Sequence, residues 1–292
     1  MPLFTRLLLC LLPLLASLAH AGVTPLAVSV SVLPQKYLVE RVGGRWVKVY
    51  AMVSGGKDPH TFEPTPAQVA QLAQAQLYFA TGMSFEQAWL GKLRSGKTTR
   101  VVDMRQGIKL RQQEDMLELG GKPGHEHDEH SGSDPHVWTS PANLRIIAAT
   151  IQRELGKSLP AESQSELLQN TQNLLRDIER SEQKIKAQLA QSPVKRFMVF
   201  HPSWGYFADA YGLQQLPIEY EGKEPGPRTL AQIIGIGKSQ QIKVVFVQPQ
   251  FSARAASNIA SGLNARVEKL DDLAENVLAN LEFAAAAIAA SR

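Results

Sequence analysis

One stretch of the chain, from Ala161 to Ala190, keeps a helical pattern for about eight turns without a glycine or proline. Its apolar residues recur at helical spacing, namely Leu168, Leu175, Ile178, Ile185 and Leu189. Helices in globular proteins average only three to four turns. We therefore expect this segment to form one rigid helix with a structural role.

On both sides of this segment, short apolar runs alternate with helical patterns. We predict strands at Leu26–Val32, Val47–Val53, Leu77–Ala80, Val101–Met104, Phe197–Phe200, Ile242–Val247 and Ala265–Leu270. Thr65-Pro66 and Ser140-Pro141 each place a capping residue before a proline, which is typical of a helix start. Strands that alternate with helices form parallel α/β sheets. The simplest architecture is two α/β lobes, residues 22–160 and 192–292, joined by a linking helix at 161–191.

The first residues have the pattern of a secretory signal peptide. Arg6 is positively charged, Leu7–Leu18 is shorter than the ~20 apolar residues of a spanning helix, and Ala19-His20-Ala21 resembles a cleavage site. We expect residues 1–21 to be removed and the mature protein to reach the periplasm. Cys10, the only cysteine, would leave with them, so the mature chain has to be stable without a disulfide.

The charge of the chain argues against one class of partner. The formal net charge is +4, and removal of Arg6 with the leader leaves 4 − 1 = +3, spread along the chain without a dense basic block. Nucleic acid is therefore not an expected partner.

Three histidines lie in separate segments that follow a predicted strand or precede a helix. They stand in Asp58-Pro59-His60, Asp134-Pro135-His136 and Phe200-His201-Pro202. Loops at the carboxyl ends of parallel strands bind ligands in α/β folds, and imidazole is a common zinc ligand. A single loop histidine is more often solvated, but three such positions favour a metal site between the lobes. Asp58 and Asp134 would either orient the neighbouring imidazole or cap the following turn.

These motifs resemble those of the solute-binding proteins of zinc and manganese ABC importers. The matching segments are Asp58–Pro66, Asp134–Trp138 and Phe200–Phe207, and the resemblance covers essentially the whole mature chain. It implies a binding protein rather than an enzyme. We expect a monomer that delivers a metal ion to an ABC permease and its ATPase.

The resemblance also implies the ligands. One comes from each of the three segments, which gives His60, His136 and His201, and a fourth is a carboxylate from a late loop, where Asp271 falls at the liganding position. Members of the family usually have proline or a small residue at the next position, where this chain has Asp272. The choice between these two aspartates therefore stays open.

The ligand types favour zinc as the metal. Three imidazoles and one carboxylate suit a tetrahedral zinc site. By resemblance, manganese-binding members tend to carry a carboxylate where His201 stands, as the preference of manganese for oxygen ligands predicts. Zinc is the expected ligand, and manganese or iron is the alternative. Affinity alone would not exclude copper or nickel.

A polar tract at residues 121–133 contains the further histidines His125, His127 and His130. Its pattern approximates the H-x-H-x-D-H motif of dinuclear zinc hydrolases. Glycines and serines flank it, which is typical of a loop and not of the rigid strand that such ligands need. We expect a loop that binds metal weakly, with a merely solvated loop as the alternative. A metallohydrolase is disfavoured, because no general-base motif accompanies the ligands.

Other conspicuous residues have structural interpretations. Four aromatic residues are expected to pack beneath the metal loops: Trp138, Trp204, Tyr206 and Phe207. An acidic stretch could line the cleft, although a solvated loop is the favoured interpretation: Glu219, Glu221 and Glu224. An adhesin or a metallochaperone would need the same metal site as an importer component, so the sequence does not separate these functions.

Overall fold

The computed structural model describes residues 24–95, 99–112, 133–219 and 225–292. The first sheet contains β1 (Leu26–Val30), β2 (Val47–Ala51), β3 (Leu77–Ala80) and β4 (Arg100–Asp103), in the order β2-β1-β3-β4. The second contains β5 (Arg196–Val199), β6 (Gln214–Pro217), β7 (Val244–Val247) and β8 (Arg266–Lys269), in the order β6-β5-β7-β8. All strand pairs are parallel. The predicted α/β architecture with two parallel sheets is confirmed.

Helices flank both sheets. In the described residues they are α1 (Leu33–Gly43), α2 (Pro66–Ala73), α3 (Ser84–Ser95), α4 (Pro141–Ser158), α5 (Gln164–Ala190), α6 (Gly205–Tyr211), α7 (Pro227–Ser239), α8 (Ala253–Leu263) and α9 (Val277–Ala289). The two predicted helix starts are confirmed at Pro66 and Pro141. At the first, the Gln68 N–H donates to Thr65 Oγ1 at 3.3 Å, and the Thr65 N–H donates to Gln68 Oε1 at 3.0 Å. This reciprocal pair satisfies two N–H groups that the helix itself leaves without partners.

The predicted linking helix is α5, which is 27 residues long. Its buried face consists of Leu167, Thr171, Leu174, Ile178, Ser181 and Ile185. Leu168 fits the apolar spacing in the sequence but does not belong to this face, because it is 48% exposed. One residue rotates a helix by about 100°, so Leu167 and Leu174 share a face with Ile178 whereas Leu168 points away from it.

Helix α5 connects the two sheets through a common core. The larger hydrophobic cluster contains Leu38 and Ile151 from the first lobe as well as Phe197 and Phe246 from the second. The C-terminal helix α9 packs back on α5, with Lys184 Nζ 3.0 Å from Glu282 Oε2. The two lobes are therefore attached to the same helix by apolar packing, which fixes their relative position.

The edge strand β6 was not predicted. It consists of Gln214, Gln215, Leu216 and Pro217, so it lacks the apolar run that marks the other strands. Tertiary contacts stabilise it instead: Gln215 is fully buried, and its Oε1 accepts a hydrogen bond from the Trp204 N–H at 3.1 Å. A proline is tolerated there because an edge strand leaves one row of N–H groups outside the ladder.

The predicted leader and the histidine tract lie outside the described residues. Cleavage after Ala21, the loss of Cys10 and the proposed lobe boundaries stay predictions. Within the ranges that the structure describes, no helix is both long enough and apolar enough to cross a membrane.

Leu174→Ala should lower the free energy of unfolding of the metal-free protein by ~2–5 kcal/mol, because it leaves a cavity between α5 and the core. Leu168→Ala removes the same atoms from an exposed position and should change the stability by only about 0.5 kcal/mol. Urea denaturation of both variants measures the difference. Equal losses would mean that the buried face of α5 is assigned incorrectly.

Candidate metal centre

The three predicted histidines converge between the lobes. His60 lies in the loop between β2 and α2, His136 precedes the short 3-10 turn Val137–Thr139, and His201 follows β5. The Nε2 atom of His201 lies 3.1 Å from His60 Nε2 and 3.2 Å from His136 Nε2. Zinc–nitrogen bonds of 2.0–2.1 Å in a tetrahedron separate two nitrogens by about 3.3 Å. The observed spacing is thus close to that of three nitrogen ligands around one zinc ion.

The repeated Asp-Pro-His motif forms the same turn twice. Asp58 Oδ1 accepts a hydrogen bond from the His60 N–H at 2.8 Å, and Asp134 Oδ1 accepts one from the His136 N–H at 2.9 Å. Each aspartate therefore fixes the main chain two residues further on, as Asx turns do. This bears out the turn-capping role that the sequence offered for both aspartates.

Asp134 also orients the imidazole ring of His136. The Nδ1 atom of this ring lies 2.8 Å from Asp134 Oδ1, and both side chains are buried. A carboxylate in this position accepts the Nδ1 proton, which leaves the Nε2 lone pair for a metal. Burial alone would raise the pKa of Asp134, but its interactions with His136 and Arg111 outweigh burial and lower it.

Further bonds attach Asp134 to the second lobe. Arg111 Nη1 lies 3.3 Å from Asp134 Oδ2, and Arg111 Nε lies 3.1 Å from Asp209 Oδ2 on α6. The Tyr206 hydroxyl donates to the Asp134 carbonyl at 2.9 Å. The loop that carries His136 is thus held by residues of both lobes.

His201 has a buried carboxylate partner, Glu219, that the sequence analysis missed. The carboxylate of Glu219 contacts His201 Nδ1, and Glu219 is only 3% exposed. The interpretation of this residue as part of a solvated loop is therefore wrong; Glu221 and Glu224 lie outside the described residues. Recognition of β6 would have revealed Glu219, because it follows that strand at the same sheet edge as His201.

The three imidazoles affect one another's pKa values, because they are too close for several of them to carry a positive charge. Burial and the neighbouring His201 and His136 lower the pKa of His60 to about 3. Burial and His136 hold the pKa of His201 well below its usual value. Burial acts in the same direction on His136, but Asp134 outweighs it and raises the pKa of His136. One proton at His136 is thus the most that the centre favours, and a metal ion would replace it.

The two candidate aspartates of the late loop occupy different environments. Asp271 is half-buried, and its Oδ1 accepts hydrogen bonds from the Leu273 N–H at 2.9 Å and from Gln250 Nε2 at 3.4 Å. Asp272 is 4% exposed, and burial raises its pKa to about 6 despite the attraction of His136. Among the described residues, one group of three or more histidine or carboxylate side chains could hold a metal ion with all its ligand atoms within 4.8 Å of one another: His60, His136 and His201.

Aromatic residues support these loops from below, as predicted. Trp138, Trp204, Tyr206 and Phe207 are all buried. The indole Nε1 of Trp138 donates to the Asp272 carbonyl at 2.7 Å, which links the loop of His136 to the late aspartate loop. The metal loops of the two lobes are therefore joined by packing and by a hydrogen bond from a side chain to the main chain.

The histidines of the polar tract, His125, His127 and His130, lie outside the described residues. The residues on either side of segment 113–132 are described: Gln112 and Ser133 form an antiparallel bridge, and the Asp134 N–H donates to the Arg111 carbonyl at 2.9 Å. Gln112 and Ser133 both lie next to the loop that carries His136.

Comparisons with known proteins find zinc-uptake proteins that are similar to this chain in sequence and fold. A crystal structure of ZnuA and one of a ZnuA deletion mutant with zinc bound are each 37% identical to this chain, with TM-scores of 0.81. Both alignments cover 92% of this chain, and they cover 99% and 98% of the two solved chains. The high-affinity zinc uptake system protein ZnuA of Haemophilus influenzae is 34% identical over 148 residues, 49% of this chain and 42% of that protein.

A family model extends the match over most of the sequence. The model described as "ZnuA: Zinc-uptake complex component A periplasmic" matches residues 28–287. This range contains the three histidines, the long helix α5 and the late aspartate loop. The chain therefore belongs to the ZnuA family of periplasmic zinc-uptake components.

Proposed function

We propose that this protein captures zinc in the periplasm and delivers it to an ABC-type importer, which consists of a permease and its ATPase. The observation that carries the proposal is the convergence of three imidazole Nε2 atoms at 3.1 and 3.2 Å. Two of the rings are buried, so the centre would remove the ion from water almost completely. A site of this kind suits capture and transfer of an ion.

Membership in a family of zinc-uptake components favours a binding protein over a zinc enzyme. A catalytic zinc keeps one coordination position open for water or substrate, whereas a capture site is completed by protein ligands. We propose that His60, His136 and His201 are three ligands and that a carboxylate of the late loop completes the set. The protein would thus bind its metal as cargo and perform no reaction on a substrate.

Asp271 is the proposed fourth ligand, by resemblance to the family. Its two hydrogen bonds both use Oδ1. Metal binding through the second oxygen would therefore leave this anchoring intact. Asp272 is the competing candidate because it is buried and interacts with His136. Single variants of Asp271 and of Asp272 can therefore be compared directly to decide which aspartate binds the metal.

Zinc is favoured over manganese by the donor set. Imidazole nitrogens suit zinc, whereas manganese prefers sites dominated by carboxylate, carbonyl and water oxygens. The zinc-bound ZnuA deletion mutant, which is similar to this chain over 92% of its length, supports the same choice.

The proposal also includes a cleaved leader at residues 1–21, a monomeric mature protein and a weak accessory site formed by His125, His127 and His130.

Metal analysis of the protein purified without added metal tests the proposal directly. We expect one equivalent of tightly bound zinc, and competition titrations should give a higher affinity for zinc than for manganese. Fractionation of cells should recover the protein, shortened by the leader, from the periplasm. A preference for manganese, or the absence of any tight site, would overturn the assignment of the cargo.

His201→Ala should greatly lower the zinc affinity, because it removes a ligand of the metal. Mutation of a residue that is only hydrogen-bonded to a ligand typically costs roughly 10–100-fold in affinity, and the loss for His201→Ala should be larger. His127→Ala should have little effect, since the tract is proposed to bind metal weakly. Competition with a chromogenic chelator measures both affinities. Small and equal losses would move the tight site from the interlobe centre to the tract.

Asp271→Ala should weaken zinc binding and Asp272→Ala should leave the affinity nearly unchanged, if Asp271 is the fourth ligand. Thermal unfolding of the metal-free variants is the control, because Asp272 is buried and its loss can alter stability without a change at the metal. The opposite ranking of zinc affinities would assign the fourth ligand to Asp272.

Zinc affinity should fall as the pH decreases through the raised pKa of His136, which lies above the ordinary value of 6.5. Zinc binds the unprotonated imidazole, so below that pKa each ion has to displace a proton, and the affinity should drop by up to about tenfold per pH unit. Calorimetric titration in two buffers with different ionisation enthalpies counts the released protons. An affinity independent of pH from 5.5 to 8 would contradict the proton position assigned to His136.

A further inference from the structure

Glu219 lies on the side of His201 that faces away from the metal centre. Its carboxylate contacts Nδ1 of the ring, while Nε2 of the same ring faces His60 and His136 at 3.1 and 3.2 Å. A carboxylate beside an imidazole accepts the ring proton at the nitrogen that it contacts. The contact therefore leaves the opposite nitrogen, Nε2, with its lone pair directed at the metal centre.

The sheet places Glu219 beside His201. Val199 on β5 is paired with Pro217 on β6, so the residues two positions further along each strand, His201 and Glu219, are also side by side. The Glu219 N–H donates to the Phe200 carbonyl at 3.0 Å. The main chain of Glu219 is thus bonded to the residue immediately before the ligand.

Other residues already hold the main chain and the ring plane of His201. Gln248 Oε1 accepts from the His201 N–H at 3.2 Å, and Gln248 Nε2 donates to the His201 carbonyl at 2.7 Å. The ring of Phe251 stacks on the imidazole with a centroid distance of 5.1 Å and an angle of 22°. Stacking fixes the plane of the ring but not which edge faces the metal. The hydrogen bond to Glu219 distinguishes the two edges, because only one of them carries Nδ1.

The centre then has one carboxylate–imidazole pair in each lobe. Asp134 contacts His136 Nδ1 in the first lobe, and Glu219 contacts His201 Nδ1 in the second. All four side chains are buried. In each lobe, a buried carboxylate thus contacts the ring nitrogen that faces away from the metal centre, which leaves the opposite nitrogen free to bind a metal.

We propose that Glu219 is the positioning residue of the second lobe: it holds His201 in the tautomer that directs Nε2 at the metal. This inference rests on the proposed zinc-binding function. It assigns Glu219 a role through His201 and not as a ligand itself.

The test compares Glu219→Leu, which removes the acceptor, with Glu219→Gln, whose amide oxygen can still accept the Nδ1 proton without a charge. We expect Glu219→Leu to lower the zinc affinity by about 10–100-fold and Glu219→Gln to lower it less. The visible spectrum of the Co²⁺-loaded protein should change in Glu219→Leu and return towards that of the wild type in Glu219→Gln. Glu154→Gln is the matched control, because Glu154 is also buried but pairs with Arg153 and Lys157 on α4, at 2.8 Å each.

The control variant should bind zinc as the wild type does, even if its stability falls. Two results would overturn the proposal: a Glu219→Leu variant that binds zinc within twofold of the wild type with an unchanged cobalt spectrum, or a Glu219→Gln variant no better than Glu219→Leu. Wild-type protein without a tight zinc site would instead refute the proposed function.

A second measurement needs no variant and so does not depend on the folding of Glu219→Leu. Long-range ¹⁵N–¹H correlation spectra of the zinc-loaded wild type distinguish the two nitrogens of each imidazole. We expect His201 to carry a proton on Nδ1 and to bind zinc through Nε2. Zinc bound through Nδ1 of His201 would exclude the positioning role of Glu219.

Discussion

The close approach of three imidazole nitrogens between two lobes is the constraint on which the rest of the structure depends. Lone pairs on His60, His136 and His201 at 3.1–3.2 Å repel one another unless a proton or a cation lies among them. Metal geometry tolerates errors of only about 0.5 Å, so the lobes must be held in a fixed relation. Helix α5 meets this requirement, because α1, α4 and the C-terminal helix α9 pack against it and its buried residues belong to the core that the two lobes share. A flexible linker between the lobes would not keep the spacing.

The three ligands are constrained to different degrees. His136 is held through Asp134, which is itself bonded to Arg111 and lies under the hydroxyl of Tyr206, so its position depends on both lobes. His201 is held at its main chain by Gln248, in its ring plane by Phe251 and at Nδ1 by Glu219. His60 is only half-buried, and Asp58 bonds its main-chain N–H and the hydroxyl of Thr61. The centre thus combines two rigid, buried ligands with one that stands closer to solvent.

Most of the fold and the three histidines could be predicted, because both depend on local patterns. Valine-rich runs indicate buried parallel strands, and the Asp-Pro-His motif that forms the turn occurs twice in the sequence. Strand β6 and Glu219 could not be predicted from such patterns. Gln214 and Gln215 are polar, and their burial depends on contacts with Trp204 and the neighbouring strand. Helical periodicity alone also could not decide whether Leu167 or Leu168 faces the core, since both fit an apolar stripe at one end of α5.

The buried carboxylates link metal capture to the stability of the fold. Asp134 and Glu219 face His136 and His201, and Asp272 lies fully buried near the same centre, where burial raises its pKa to about 6. Interactions with His136 and Arg111 stabilise the charge of Asp134, whereas the charge of Asp272 is disfavoured in this region of low dielectric. A zinc ion would offset the cost of that charge in the native state, and it binds the unfolded chain far less well. Part of its binding free energy therefore becomes folding free energy, by RT ln(1 + [Zn²⁺]/Kd). The buried Asp272 carboxylate thus favours the ion but lowers the stability of the metal-free protein, so the apolar packing around α5 has to stabilise the fold until the ion arrives.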